Sequence, residues 1–276
     1  MKERITSRQN PRIKRVCSLT EKKGRRAEGL FRFDGIKLLK EALAASVELK
    51  EIYLREPISD ELLHLLDSAE SSGRLKDVAV ITVPDSVFEK LSEEQSPEGV
   101  ITVARPLEQL HQAVGAEELL SVIGTSERIL LAEALRDPGN LGTVMRSCAA
   151  LGIDRLILSE DCADLYHPRT LRSAMGAMFR MPTVSVGGKD LSEAVGVLRR
   201  SGRRVYAAAL REEAVALGSF SLRGGDCFVI GNEGHGLCDA TVAACDRAVI
   251  IPMREGNESL NAAAAAAICI WETVRA

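Results

Sequence analysis

The chain has 276 residues, 46% hydrophobic and 27% charged, with a mean hydropathy of +0.01. This composition excludes a disordered or fibrous protein, and the length suits one large or two medium domains. No apolar run reaches the roughly 18–20 residues of a membrane span, and the charged start MKERITSRQNPRIKR lacks the apolar core of a secretory signal. Seven cysteines with no CxxC pair fit reduced thiols, so a soluble, cytoplasmic protein is expected.

The charge is unevenly spread. Residues 1–40 carry 13 Lys/Arg against four Asp/Glu, giving +9 on a chain whose net charge is −3. A basic arm on an otherwise acidic chain suits a polyanion, because neutralising phosphates releases counterions. Arg12, Lys14, Arg15, Lys22, Lys23 and Arg25 are the candidate polyanion contacts. A solvated basic helix face accounts for the same charges without a partner.

Residues 1–104 read as a smaller α/β domain. Apolar spacing predicts a helix over 36–45, a strand over 49–54, a helix over 60–68, and strands over 78–83 and 99–104. Arg105-Pro106 closes this unit, since proline cannot continue a ladder. The polar, acidic stretch 105–127 reads as a linker. From residue 128 the pattern changes to apolar strands at 129–132, 156–158, 183–186, 205–209, 227–230 and 248–251. Helices fit at 141–151, 170–178, 191–200 and 260–275. All-apolar strands alternating with helices predict a parallel sheet covered on both faces, with ligands beyond the strand C-termini.

Three unusual segments sit at such strand ends. In LRDPGNLGTVMRSCAALG, Asn140 is placed to cap a helix whose buried stripe is Leu141, Val144, Met145 and Cys148. Arg146 on that helix suits a phosphate or carboxylate, though a surface arginine gives the same pattern. In CFVIGNEGHGL, a buried strand runs into three glycines within Gly231–Gly236, spaced GxxGxG. That spacing is not the dinucleotide GxGxxG and no Walker lysine follows, which weakens a Rossmann oxidoreductase. The loop is either a close backbone approach to a ligand or an ordinary turn. In IPMREGNESLNAAAAAAICIWE, Pro252 ends a strand and Ser259 or Asn261 introduces a long helix, whose alanines read as packing. Cys148 and Cys269 read as core, Trp271 as a packing anchor, and His235 as a surface residue. His64, His111, His167 and His235 are scattered and Cys238 and Cys245 lie seven apart, so no metal site is expected.

In order and spacing, the three segments resemble the signature motifs of the SpoU (TrmH) family of RNA ribose 2′-O-methyltransferases. DLYHPRTLRSAMGAMFRMP resembles the family segment between the first two motifs. TSRQNPRIKRVCSL…GLFRFDGIKLLKEAL and SPEGVITVA resemble the family's substrate-binding extension, a domain similar to RNA-binding ribosomal proteins. The resemblance implies RNA-binding residues 1–104, a linker 105–127 and a methyltransferase domain 128–276 whose parallel sheet carries a deep trefoil knot. It further implies S-adenosyl-L-methionine as cofactor, held around Gly231, Ile251, Met253 and Leu260. Asn140, Arg146, Glu233, Ser259 and Asn261 match the family's polar positions around the reacting ribose. A homodimer whose sites draw on both chains is implied, as is an RNA substrate, with rRNA favoured over tRNA.

The family gives the motif-one arginine, here Arg146, the role of base. Arginine is ordinarily always protonated, so a fixed cation that holds phosphate and stabilises developing alkoxide stands beside that assignment. The third motif departs from the family: Arg254-Glu255 precede Gly256, one position later than usual, which implies a changed loop path. Asp34 stands where glutamate is commoner. A non-catalytic RNA-binding ribosome-assembly factor and a base methyltransferase on the same scaffold are the competing readings; the presence of Asn140 and Arg146 counts against the first and the intact motif set against the second.

Overall fold

The computed structural model describes residues 3–188, 190–232, 234–254 and 259–275. The chain divides into two compact units, one of residues 1–107 with 166–179, the other of residues 108–165 with 180–276.

In the first unit the elements are β1 (Glu3–Arg4), α1 (Pro11–Ser18), α2 (Lys22–Glu28), β2 (Phe31–Asp34), α3 (Ile36–Ala44), β3 (Leu49–Arg55), α4 (Asp60–Ser71), β4 (Ala79–Val83), α5 (Asp85–Leu91) and β5 (Val100–Ala104). They build a sheet in the order β1-β4-β3-β5-β2, parallel through β3 and antiparallel beyond it. The elements expected from residue 36 onward are present. The basic arm is also folded. Asn10 caps α1 by accepting the Arg12 N–H at 2.8 Å, Pro11 opens the helix, and Ile13 and Val16 bury against Tyr53, Ile101 and Val103.

The second unit holds β6 (His111–Val114), α6 (Leu119–Val122), β7 (Ile129–Ala132), α7 (Pro138–Leu151) and β8 (Arg155–Ser159). The chain then contributes α8 (Pro168–Ala174) to the first unit and returns with β9 (Thr183–Val186), α9 (Ser192–Arg200), β10 (Val205–Ala208) and β11 (Val215–Ala216). It ends with β12 (Cys227–Ile230), α10 (Asp239–Ala244), β13 (Arg247–Ile250) and α11 (Ala262–Arg275). Among the described residues the sheet runs β11-β13-β10-β12-β7-β8-β9-β6, with every pairing parallel. The side chains alternate between its faces. Ile129, Leu131, Ile157, Val205 and Val229 join a core with Leu119, Ala194, Val195 and Leu198, while α7 and α11 pack on each other and on β8 and β12.

Four expectations need correction. The segment 105–127 is folded rather than a linker: β6 pairs with β9, and Ala116 and Leu119 are buried. Its acidic residues mask a short apolar stripe that closes the sheet edge. The helix expected over 170–178 ends at Ala174, because Met175 and Gly176 take positive φ, and a short 3-10 turn follows at Ala177–Phe179. A side chain on Gly176 would meet Glu41 at 2.6 Å, so this segment lies tight on the first unit. There Tyr166 and Phe179 pack on Phe31 and Phe33, with centroids 4.6 and 5.2 Å apart. Third, Trp271 is 55% exposed rather than a packing anchor. Finally, Asp137 rather than Asn140 caps α7, accepting the Asn140 N–H at 2.8 Å with Pro138 at the first helical position.

Candidate functional site

The C-terminal ends of β10, β12 and β13 open into a cavity of about 460 Å³, a volume in the usual range for small cofactors. Its walls are Ala208–Arg211, Ile230–Asn232, Gly234–Leu237, Val249–Ile251, Met253, Ser259, Leu260, Ala262 and Ala265. All four residues expected to hold the cofactor, Gly231, Ile251, Met253 and Leu260, line it, as does Ser259. Glu233, and the Glu255 and Gly256 of the shifted third motif, lie outside the described residues.

The glycine loop has a mechanical reason for its composition. Asn232 and Gly236 exchange both backbone hydrogen bonds, at 3.1 and 2.9 Å, folding the loop back on itself. A Cβ on Gly231 would fall 2.5 Å from the Gly236 carbonyl carbon, so no side chain fits there. Asn232 Oδ1 accepts the N–H groups of Gly234 and His235 at 2.8 and 3.2 Å, and its Nδ2 donates to the Ala134 carbonyl at 2.8 Å. His235 is exposed, as expected.

Beside the cavity, the starts of α7 and α11 meet. Asn261 caps α11, its Oδ1 accepting the N–H groups of Ala263 and Ala264 at 2.9 and 3.3 Å. Its Nδ2 donates to Asn140 Oδ1 at 3.0 Å. Two predicted residues, 121 positions apart in the chain, are thus brought together. Since Leu260 and Ala262 line the cavity, this amide pair stands at its edge. Ser259 is exposed, and Arg146 is exposed on α7, without a hydrogen-bond or ion-pair partner among the described residues. Leu141, Val144, Met145 and Cys148 form the buried stripe beneath them. Burial raises the Cys148 thiol and pushes that of Cys269 up to about 12, so neither is a ready nucleophile. Among the described residues no group of three or more His, Cys, Asp or Glu could hold a metal ion.

The basic arm separates into two kinds of residue. Lys14, Lys22 and Lys23 are exposed. Arg12 pairs with Glu3, and Arg15 with Glu51 at 2.6 Å. Arg25 is buried at 6% exposure and donates to the Leu19 and Thr20 carbonyls at 2.9 and 2.6 Å, fixing the α1–α2 turn. As an RNA contact Arg25 is therefore corrected: its guanidinium is used internally. Sequence reasoning also missed Glu133 and Asn232. Asn232 could have been found from its place after Gly231, where an Asx turn is favoured.

A parallel sheet with a cofactor-sized cavity at its strand ends, edged by an amide pair, defines an α/β domain built to hold a small ligand against a second substrate. A family model described as the SpoU rRNA Methylase family matches residues 127–271, and one described as an MRM3-like substrate binding domain matches residues 10–102. The chain belongs to the SpoU rRNA methylase family. It is 29% identical to the 23S rRNA (guanosine(2553)-2'-O)-methyltransferase RlmP of Bacillus subtilis, over 98% of both chains. With the 23S rRNA (guanosine-2'-O-)-methyltransferase RlmB of Bordetella pertussis it shares 31% identity over 84% of this chain and 91% of that one. A crystal structure of an RNA 2'-O ribose methyltransferase superposes with a TM-score of 0.80 at 30% identity, covering 99% of this chain and 98% of the other. An AdoMet-bound rRNA methyltransferase from Sinorhizobium meliloti shares the fold, with a TM-score of 0.83 at 24% identity and 99% and 97% coverage.

Because Gly231 has no room for a Cβ, Gly231→Ala should open the folded-back loop. We expect at least about a tenfold loss of S-adenosylmethionine affinity by calorimetry, with the circular dichroism spectrum retained.

Proposed function

We propose that the chain is an S-adenosylmethionine-dependent methyltransferase acting on a ribose 2′-hydroxyl of rRNA. The observation that carries this reading is the cavity lined by all four expected cofactor residues and edged by the Asn140–Asn261 pair. Family membership and the 23S rRNA 2′-O-methyltransferase relatives support the substrate. The cavity fits the cofactor: apolar side chains of Ile251, Met253 and Leu260 face it together with the bare backbone at Gly231. When bound, S-adenosylmethionine supplies an electrophilic methyl group on a sulfonium.

The chain must then align an acceptor hydroxyl and lower the cost of its lost proton. Asn261 is held by its capping bonds and in turn fixes Asn140, presenting amide groups that orient a ribose at the cavity edge. Arg146, an exposed cation on the same helix as Asn140, holds the neighbouring phosphate and stabilises developing alkoxide. Taking the proton itself would require a neutral guanidine, which ordinary arginines do not provide, so the hydroxyl proton passes to solvent water. Glu233 and Ser259 complete the proposed set around the ribose. RNA is gathered by residues 1–104 through Lys14, Lys22 and Lys23, with the half-buried Arg12 and Arg15 behind them. The proposal includes the trefoil knot, in keeping with β12 and β13 flanking β10 and α11 returning onto α7. It also includes a homodimer in the cytoplasm. In support of the dimer, α11 exposes Ala264, Ile268 and Trp271 at i, i+4 and i+7, one apolar stripe. No helix among the described residues is long and apolar enough to cross a membrane.

Four experiments test the reading. Incubation with methyl-labelled S-adenosylmethionine and unmodified rRNA, followed by nuclease mapping, should place label in a ribose 2′-O-methyl group. Arg146→Ala should lose at least about a hundredfold in rate, while near-full activity of Arg146→Lys would exclude a role for the bidentate fork. Label only in bases would contradict the assigned reaction. Neutralising Lys14, Lys22 and Lys23 should reduce the slope of log affinity against log salt by about 2, and an unaltered slope would remove them from the interface. Trp271→Glu should yield monomers by analytical ultracentrifugation and suppress activity.

A further inference from the structure

The residue following β7 is a carboxylate in a place where carboxylates are rarely found. Glu133 is 2% exposed, just beyond the C-terminal end of a central strand of the parallel sheet. Its Oε1 accepts the Cys238 N–H at 2.8 Å, at the point where the cofactor loop ends. Its Oε2 accepts the Leu191 N–H at 2.9 Å, just before α9, and the hydroxyl of Thr241 on α10. Thr241 Oγ1 in turn accepts the Leu191 N–H at 3.1 Å. The Glu133 N–H donates to the Ile230 carbonyl at 2.8 Å, immediately before the same loop. The next residue, Ala134, takes a positive φ of 53°, accepts from Asn232 Nδ2 and donates its N–H to Ser159 Oγ at 2.8 Å. Two consecutive residues therefore hold the loop at its entry, its first turn and its exit. Three residues beyond Ala134, Asp137 begins the helix that carries Asn140 and Arg146.

We infer that Glu133 is a positioning residue for the methyl transfer: its carboxylate fixes the cofactor loop against the origin of α7 and so sets the register between donor and acceptor. The inference rests on the proposed cofactor reading. An amide cannot replace the carboxylate. Each Glu133 oxygen receives a backbone N–H, whereas glutamine offers one accepting oxygen and would turn an N–H₂ group toward the other donor. The buried group left unpaired then frees the loop exit from the sheet.

The test is calorimetric titration of S-adenosylmethionine into the full chain, wild type and Glu133→Gln, with Val197→Ala as a control for stability. Val197 is a buried α9 residue in the same core, and it is absent from the cavity wall. Glu133→Gln is expected to weaken binding about tenfold, while Val197→Ala lowers the melting temperature and binds as wild type does. Thr241→Val, which removes only the hydroxyl donor, serves where Glu133→Gln does not fold, and should weaken binding about threefold. Equal affinity of wild type and the folded Glu133 or Thr241 variant overturns the positioning role alone. The same loss in Val197→Ala assigns the effect to stability and overturns it too. A wild-type chain that binds no S-adenosylmethionine overturns the cofactor reading together with the inference.

Discussion

The end of one buried strand constrains the rest of the second unit. β7 lies between β12 and β8, and all four of its side chains are buried, so no polar function can be carried within it. The first residues free to bear polar groups are those beyond Ala132, and there the chain must satisfy the donors and acceptors that a parallel sheet leaves at its edge. Glu133 and Ala134 meet this demand by binding the backbone and Asn232 of the loop that follows β12. The loop after β12 and the start of α7 are thereby anchored to a single short stretch of chain.

Other features of the site follow from that anchor. The loop can fold back only because Gly231 lacks a side chain, and its folded form leaves backbone facing the cavity. The capping residues of α7 and α11 differ in kind. Asp137 caps its own helix by accepting the Asn140 N–H, while Asn261 caps its helix and also donates across to Asn140 Oδ1. Alanines at 262, 263 and 266 let α11 lie close on α7, which brings the two asparagines within hydrogen-bond distance. The first unit receives α8 from a chain otherwise committed to the second unit, so the polypeptide crosses between them after residues 107, 165 and 179.

Six of the second unit's strands were legible in the sequence as short, mostly apolar runs between turn residues, as in Ile129–Ala132 and Cys227–Ile230, whereas β6 and β11 were not. The residues that line the cavity were grouped by motif resemblance: the glycines of Gly231–Gly236 give a compositional signal, and main chain around Ile251 gives none. What could not be read was set by tertiary partners. Asn140 and Asp137 are both good caps, and only Pro138 at the first helical position decides in favour of Asp137. Arg25 looks like any basic residue of the arm until the α1–α2 turn supplies two carbonyls for it. The short apolar pattern of 111–119 was hidden by neighbouring acids, and Glu133 reads as one charge at a strand end until three elements converge on it.

The account stands most directly on where the cofactor binds relative to the amide pair. A crystal structure of the chain with S-adenosylmethionine should show the ligand in the cavity between Gly231, Ile251, Met253 and Leu260, with its methyl directed toward the Asn140–Asn261 edge. A ligand bound elsewhere, or one with its methyl turned away from that edge, would contradict the account.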